Sequence, residues 1–144
     1  MEINSGYIEP NQFWQEVQEV VALFHRFQID DLVVFYGFGC DRELEVDELY
    51  RDIEMKTDKL LAFLAESIAK DYYRLGEDNF YIQSRSLGVE FLLCHESDVH
   101  LETENVEVVG YMKARWTKKA NPGYEKIGSE WVSLQEAKAL KPKA

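Results

Sequence analysis

The chain has 144 residues, 46% of them hydrophobic and 13% aromatic, a composition that suits one globular domain and excludes a disordered polar segment. Its 27 Asp and Glu residues against 16 Lys and Arg residues give a net charge of −11. This excess disfavours nucleic acid and anionic membranes as partners and favours a basic protein.

The acidic residues are concentrated in two blocks. Residues 1–54 carry 13 Asp and Glu against 3 Lys and Arg, and residues 77–107 carry 8 against 1. Residues 108–144 reverse the sign, with 8 basic side chains against 3 acidic ones. The sequence therefore predicts two acidic surfaces and a basic C-terminal region.

Helical patterns dominate the first half of the chain. Pro10 followed by apolar residues three and four positions apart predicts a helix over 11–28. The short apolar run 32–36 predicts a buried strand. A second helix is predicted over 41–54, and a third runs from Thr57 to 75, with Gly76 at the position of a left-handed C-cap.

Strand patterns dominate the second half. We predict strands over 80–87, 89–94, 99–103 and 106–117, followed by short edge strands at 124–127 and 131–132. A closing helical turn is expected over 133–140, with the last four residues frayed. Helices followed by strands predict an α+β fold, with N-terminal helices packed on one face of a mainly antiparallel sheet formed by the C-terminal half.

The predicted second helix carries an acidic stripe, which we define as four carboxylates spaced four, three and four positions apart. Its members are Asp41, Glu45, Glu48 and Asp52, and it is flanked by Glu43, Asp47 and Tyr50. Like charges at this spacing destabilise a helix by about 0.2–0.5 kcal/mol per pair. A solvated helix face is the simpler interpretation, but this cost favours a partner-binding surface.

The leading hypothesis is therefore a small acidic protein-binding domain, an inhibitor or immunity-type protein that neutralises a basic partner such as a nuclease toxin. It requires no cofactor, no catalytic residue and no metal. Tyrosine is enriched at interfaces, so the tyrosines are candidate anchors. They are Tyr36, Tyr50, Tyr72, Tyr73 and Tyr81.

A second hypothesis is a metal-dependent or acid–base enzyme that uses the segment 95–100. Its candidate ligands are His95, Glu96, Asp98 and His100, and further carboxylates follow at Glu102 and Glu104. On a strand, the four residues at even positions from 98 to 104 would share one face. The alternative is a polar hairpin tip without a metal.

Other candidate sites have weaker patterns. Gly37-Phe38-Gly39 resembles a phosphate-binding turn but lacks the third glycine and is followed by acidic residues. Cys40 and Cys94 are expected to be reduced and buried. The basic cluster is expected to balance charge within the protein or to protect a sheet edge, in preference to binding nucleic acid. It comprises Lys113, Arg115, Lys118, Lys119 and Lys126.

The remaining expectations concern location and assembly. The residues 1–10 lack a basic stretch and an apolar core, so they do not resemble a secretory signal. No apolar run approaches the length of a membrane span, which predicts a cytoplasmic protein without membrane association. A third hypothesis is a structural or phage- or plasmid-borne accessory protein that forms a homodimer through a sheet edge.

Overall fold

A computed structural model describes residues 1–38 and 51–140. The helices within these residues are α1 (Pro10–Arg26), α2 (Leu60–Ala69), which a 3₁₀ turn over Thr57–Lys59 precedes, α3 (Val106–Thr117) and α4 (Leu134–Leu140). The strands are β1 (Glu2–Asn4), β2 (Leu32–Phe38), β3 (Ile53–Met55), β4 (Asn79–Ser84), β5 (Val89–Cys94), β6 (Asp98–Thr103), β7 (Tyr124–Ile127) and β8 (Glu130–Ser133).

The described strands form one eight-stranded antiparallel sheet in the order β3-β2-β4-β5-β6-β1-β7-β8. Strands β4, β5 and β6 follow one another as hairpins, so each pairs with its neighbour in the sequence. Strand β1 is inserted between β6 and β7, and it connects the two parts of the sheet. The predicted α+β fold with helices on an antiparallel sheet is confirmed.

The helices pack against one face of the sheet, where the core lies. Phe24 of α1 meets Phe91 of β5 edge to face, with ring centroids 5.6 Å apart. The ring centroids of Phe63 on α2 and Phe80 on β4 lie 6.2 Å apart. Leu134 of α4 also belongs to the core. Because side chains alternate along each strand, the residues between these core positions point to the opposite face.

The segment 106–117 is a helix, so its prediction as a strand was wrong. Asn105 caps this helix, because its side-chain oxygen accepts the backbone N–H groups of Glu107 and Val108 at 3.1 and 3.2 Å. The residues that α3 buries recur with helical spacing and include Met112 and Trp116. The alternation of polar and apolar residues over 112–116 is therefore incidental to a helical stripe.

Two predicted helices differ from those in the structure. Helix α2 ends at Ala69, and Gly76, with a φ of +77°, lies in the turn before β4 and does not cap a helix. Of the predicted second helix, residues 41–50 lie outside the described residues. The prediction of its C-terminal end was wrong, because Ile53–Met55 forms an edge strand paired with β2.

None of the helices within 1–38 and 51–140 combines the length and hydropathy needed to cross a membrane.

Candidate functional site

The face of the sheet opposite the helices, here called the open face, carries the candidate functional groups. No described helix packs against it. The strand registers order its side chains in rows that run across the sheet, because residues paired on neighbouring strands point the same way. The open face carries three candidate groups: a row of acidic side chains, a row of aromatic and apolar side chains, and a buried cluster at one end.

The acidic row consists of Glu90, Glu102 and Glu2 on three neighbouring strands. Glu102 of β6 is the direct cross-strand partner of both Glu90 and Glu2. The side-chain amide of Gln83 donates to Glu90, and Lys126 lies 3.6 Å from Glu2. Like charges placed directly opposite each other destabilise a sheet, so this arrangement is not the one that stability favours.

The aromatic row lies beside the acidic row and consists of Phe35, Tyr81 and Leu92. Phe35 and Tyr81 stack with ring centroids 4.6 Å apart and an angle of 12° between their planes. Leu92 pairs with Tyr81 across β4 and β5, and all three side chains are half-buried. A Cβ at Gly37 would lie 2.7 Å from the Tyr81 ring, so glycine at this position makes room for the tyrosine.

A buried cluster lies at the end of the open face, where the β5–β6 hairpin turns. Cys94 is the cross-strand partner of Asp98, and His100 follows two residues later on the same face. Donor atoms of the three side chains all lie within 4.8 Å of one another. His100 Nε2 is 3.0 Å from Asp98 Oδ2, whereas Asp98 Oδ1 is buried without a hydrogen-bond partner.

The cluster is charged as it stands. Burial lowers the pKa of His100, but the neighbouring Asp98 and Cys94 side chains outweigh burial and raise this pKa to about 10. Burial raises the pKa of Asp98, and its hydrogen bond with His100 outweighs this effect and lowers the pKa. At neutral pH the pair is therefore an imidazolium and a carboxylate, next to an indole, since the Trp131 ring meets His100 edge to face at 5.8 Å.

The structure brings together half of the four candidate metal ligands predicted from the sequence. Asp98 and His100 adjoin. The His95 Nδ1 atom lies 3.8 Å from the Cys94 sulfur but 2.9 Å from the Asn79 side-chain oxygen, which also accepts the His95 backbone N–H. Glu96 is exposed, with an oxygen 3.8 Å from His95 Nε2. Cys94 could not be predicted as a member of the cluster, because its position beside Asp98 depends on the register of the hairpin.

Most of the acidic stripe and all of its flanking residues lie outside the described residues. The stripe positions concerned are Asp41, Glu45 and Glu48, and the flanking ones are Glu43, Asp47 and Tyr50. Asp52, the described member, is exposed and directly precedes β3. Among the tyrosines predicted as anchors, Tyr36 and Tyr73 are buried, at 7% and 1% exposure, which makes them wrong as surface anchors. Tyr72 and Tyr81 are half-buried.

Three members of the basic cluster, Lys113, Arg115 and Lys126, form ion pairs with acidic side chains of the protein. Lys113 Nζ lies 3.0 Å from Glu125, and Arg115 Nη2 lies 2.7 Å from Glu16. Lys119 donates to the carbonyl oxygen of Ser5 at 2.8 Å, and Lys126 neighbours the acidic row. Because α3 is a helix, Lys113 and Arg115 do not protect a sheet edge.

Two further predictions concern glycine and cysteine. Gly37 and Phe38 belong to β2, so they do not form a phosphate-binding turn, and Gly39 lies outside the described residues. Cys94 is free and buried, as predicted, and Cys40 also lies outside the described residues. Comparisons of the chain with protein-family models, with curated proteins and with solved structures found no match.

Proposed function

We propose that the chain is a small acidic protein-binding domain that captures a basic protein, in the way that an inhibitor or immunity-type protein neutralises a nuclease toxin. The observation that carries this proposal is the acidic row beside the aromatic row on the open face. Together these rows provide an apolar surface with a line of negative charge along one side.

The electrostatic support comes from the acidic row. Glu90, Glu102 and Glu2 repel one another across adjacent strands, and Lys126 neighbours one of them. A basic partner that inserts Lys or Arg side chains would relieve this repulsion. Complementary charge also accelerates association and excludes acidic competitors, so it gives the interface its specificity.

The apolar support comes from the aromatic row. Interfaces combine a centre rich in aromatic side chains with a polar rim. The stacked pair Phe35 and Tyr81 is rigid and half-buried, so it loses little conformational freedom when a partner covers it. Burial, followed by the charge of Glu90, raises the pKa of Tyr81, so its hydroxyl remains a hydrogen-bond donor at neutral pH.

The test is a charge reversal confined to the open face. The double variant Glu90→Lys/Glu102→Lys is compared with a matched control, Glu77→Lys/Glu107→Lys, which has the same net charge but changes exposed residues outside the sheet. Each tagged protein is used to capture partners from its native host, and the partners are identified by mass spectrometry. Each identified partner is then purified and titrated calorimetrically.

We expect a basic partner to bind the unmodified protein and the control, and to lose at least tenfold in affinity for the open-face variant. A partner that binds all three proteins equally, or one that is acidic, would contradict the proposal. So would self-association through this face with a doubled mass in light scattering, the result that the homodimer hypothesis predicts.

A second variant, Glu45→Lys/Glu48→Lys/Asp52→Lys, tests the acidic stripe in the same assay. If the stripe belongs to the same surface, its reversal weakens the same partner. If affinity is unchanged, the stripe is a solvated surface, and the acidic row alone accounts for the binding.

A further inference from the structure

We propose that Cys94, Asp98 and His100 bind one divalent transition-metal ion of the zinc type. The proposal does not depend on the protein-binding function, because it concerns side chains at the hairpin end of the open face. A thiolate, a carboxylate and a neutral imidazole are the donors that zinc prefers in proteins. The ion therefore displaces the protons of the Cys94 thiol and the His100 imidazolium, which pass to solvent on binding. Three protein ligands leave a fourth position for water or for a group from a partner.

The geometry of the hairpin provides the first support. Cys94 and Asp98 are cross-strand partners, and His100 is next on the same face, so their side chains converge from a rigid backbone. The donor atoms all lie within 4.8 Å of one another. Neighbouring ligands of a tetrahedral zinc ion lie about 3.3–3.6 Å apart, so small side-chain rotations bring these atoms into place.

The buried carboxylate provides the second, independent support. Asp98 is 9% exposed, and apart from the neighbouring His100 and Cys94 side chains its carboxylate has no partner among the described residues, which leaves the Oδ1 atom buried and unsatisfied. A buried carboxylate oxygen without a partner is costly, and native proteins rarely retain one without a reason. A cation held between the three side chains would provide the missing interaction.

The donor set also selects the ion. Calcium and magnesium require six or more oxygen ligands, and the cluster offers one carboxylate beside a sulfur and a nitrogen. Zinc, cobalt and copper accept such mixed ligands. Trp131 lies against His100 and provides a fluorescence signal close to the site.

The experiment titrates the reduced, chelator-treated full-length protein with Zn²⁺ alone, and separately with Co²⁺. We expect one ion per chain, a rise in melting temperature on binding, and a thiolate-to-cobalt charge-transfer band in the absorption spectrum. Cys94→Ser should abolish that band, and His100→Gln should weaken Zn²⁺ binding at least about a hundredfold, beyond the 10–100-fold typical of outer-sphere partners.

Two matched controls isolate the site. Cys40→Ser removes the other cysteine, and His25→Gln removes an exposed histidine on α1, and both should leave binding and the cobalt band unchanged. Absence of saturable binding to the folded unmodified protein would overturn the proposal. A cobalt band that survives Cys94→Ser, or that disappears in Cys40→Ser, would overturn it as well. Where a variant folds poorly, the spectrum of the unmodified protein still shows whether a sulfur atom binds the ion.

Discussion

The two faces of the sheet handle charge in opposite ways. On the helical face, Glu16 is 4% exposed and fully engaged, since Arg115 binds it from one side and Trp116 Nε1 donates to it at 2.7 Å. On the open face, the carboxylates of the acidic row lie opposite one another on adjacent strands. The helical face resembles a structure selected for stability, whereas the open face retains an arrangement that opposes stability.

The two faces therefore differ in how completely their carboxylates are paired. A buried charge that has lost water must be compensated, and for Glu16 on the helical face Arg115 and Trp116 compensate it. Among the described residues, the acidic row is offset only at its two ends, by Lys126 beside Glu2 and by Gln83 beside Glu90, and it lies next to half-buried aromatic rings. A basic partner is the explanation that we propose for it.

Two neighbours on β5 point to opposite faces and provide the sharpest comparison. Phe91 is fully buried against Phe24, so Phe91→Ala should lower the free energy of unfolding by about 3–5 kcal/mol. Leu92 is half-buried on the open face, and Leu92→Ala should cost about 1 kcal/mol, because much of its surface is already in water. Equal losses in urea denaturation would show that the open face is as well packed as the core.

Removing the compensated charge tests the helical face. Glu16→Ala leaves Arg115 and the Trp116 indole without their acceptor, and should lower the free energy of unfolding by about 3 kcal/mol. Glu19→Ala is the matched control, since Glu19 lies 3.8 Å from the same arginine and is more exposed. Its loss should stay below about 0.5 kcal/mol, and a similar loss for both variants would argue against a special role for Glu16.

Asp31 tests a charge at the margin between the faces. Its carboxylate accepts hydrogen bonds from Ser84 and Ser86, and the Ser86 side chain is the main cause that lowers its pKa below 3.8. Because the pKa is lower in the folded state, the charged carboxylate contributes stability above pH 3.8. This contribution is lost as the pH falls through the pKa of the folded state. Because Asp31 is exposed and solvent screens its charge, Asp31→Asn should cost no more than about 0.5 kcal/mol at pH 7 and less at pH 3, measured by urea denaturation. A difference that does not shrink with acid would mean that the charge is unimportant.

One substitution on the open face should stabilise the protein. Glu102→Gln removes the central charge of the acidic row, so it should raise the free energy of unfolding by about 0.2–1 kcal/mol. Glu77→Gln, an exposed change outside the sheet, should have no such effect. A gain in stability accompanied by weaker partner binding is the pattern expected where function opposes stability. A loss of stability in Glu102→Gln would remove the contrast between the faces.

Much of the fold could be predicted because its periodicities are strong. The helix over 11–28 and the strand over 89–94 correspond closely to α1 and β5. The segment 106–117 misled because Met112 to Trp116 alternates like a strand, while the burial of Val108, Met112 and Trp116 follows a helix. Asn105 followed by Glu107 indicates the start of a helix, and this capping signal was a better guide than the alternation over 112–116.

The candidate site could be predicted only in part, because it depends on pairing between strands. The sequence correctly placed Asp98 and His100 on one face of a strand, which needs local alternation alone. The pairing of Cys94 with Asp98 depends on the register of the hairpin, and the acidic row depends on β1 entering the sheet beside β6. Neither register follows from local periodicity.

Strand β1 joins the two parts of the sheet and thereby affects how fast the chain folds. Glu2 pairs with Glu102, a hundred positions away, and β1 is also the strand to which β7 is joined. The β7–β8 hairpin therefore reaches the rest of the sheet through three residues at the beginning of the chain. Pairings between residues so far apart in the sequence slow folding, so we expect this sheet to fold more slowly than its consecutive hairpins β4–β6 alone would imply.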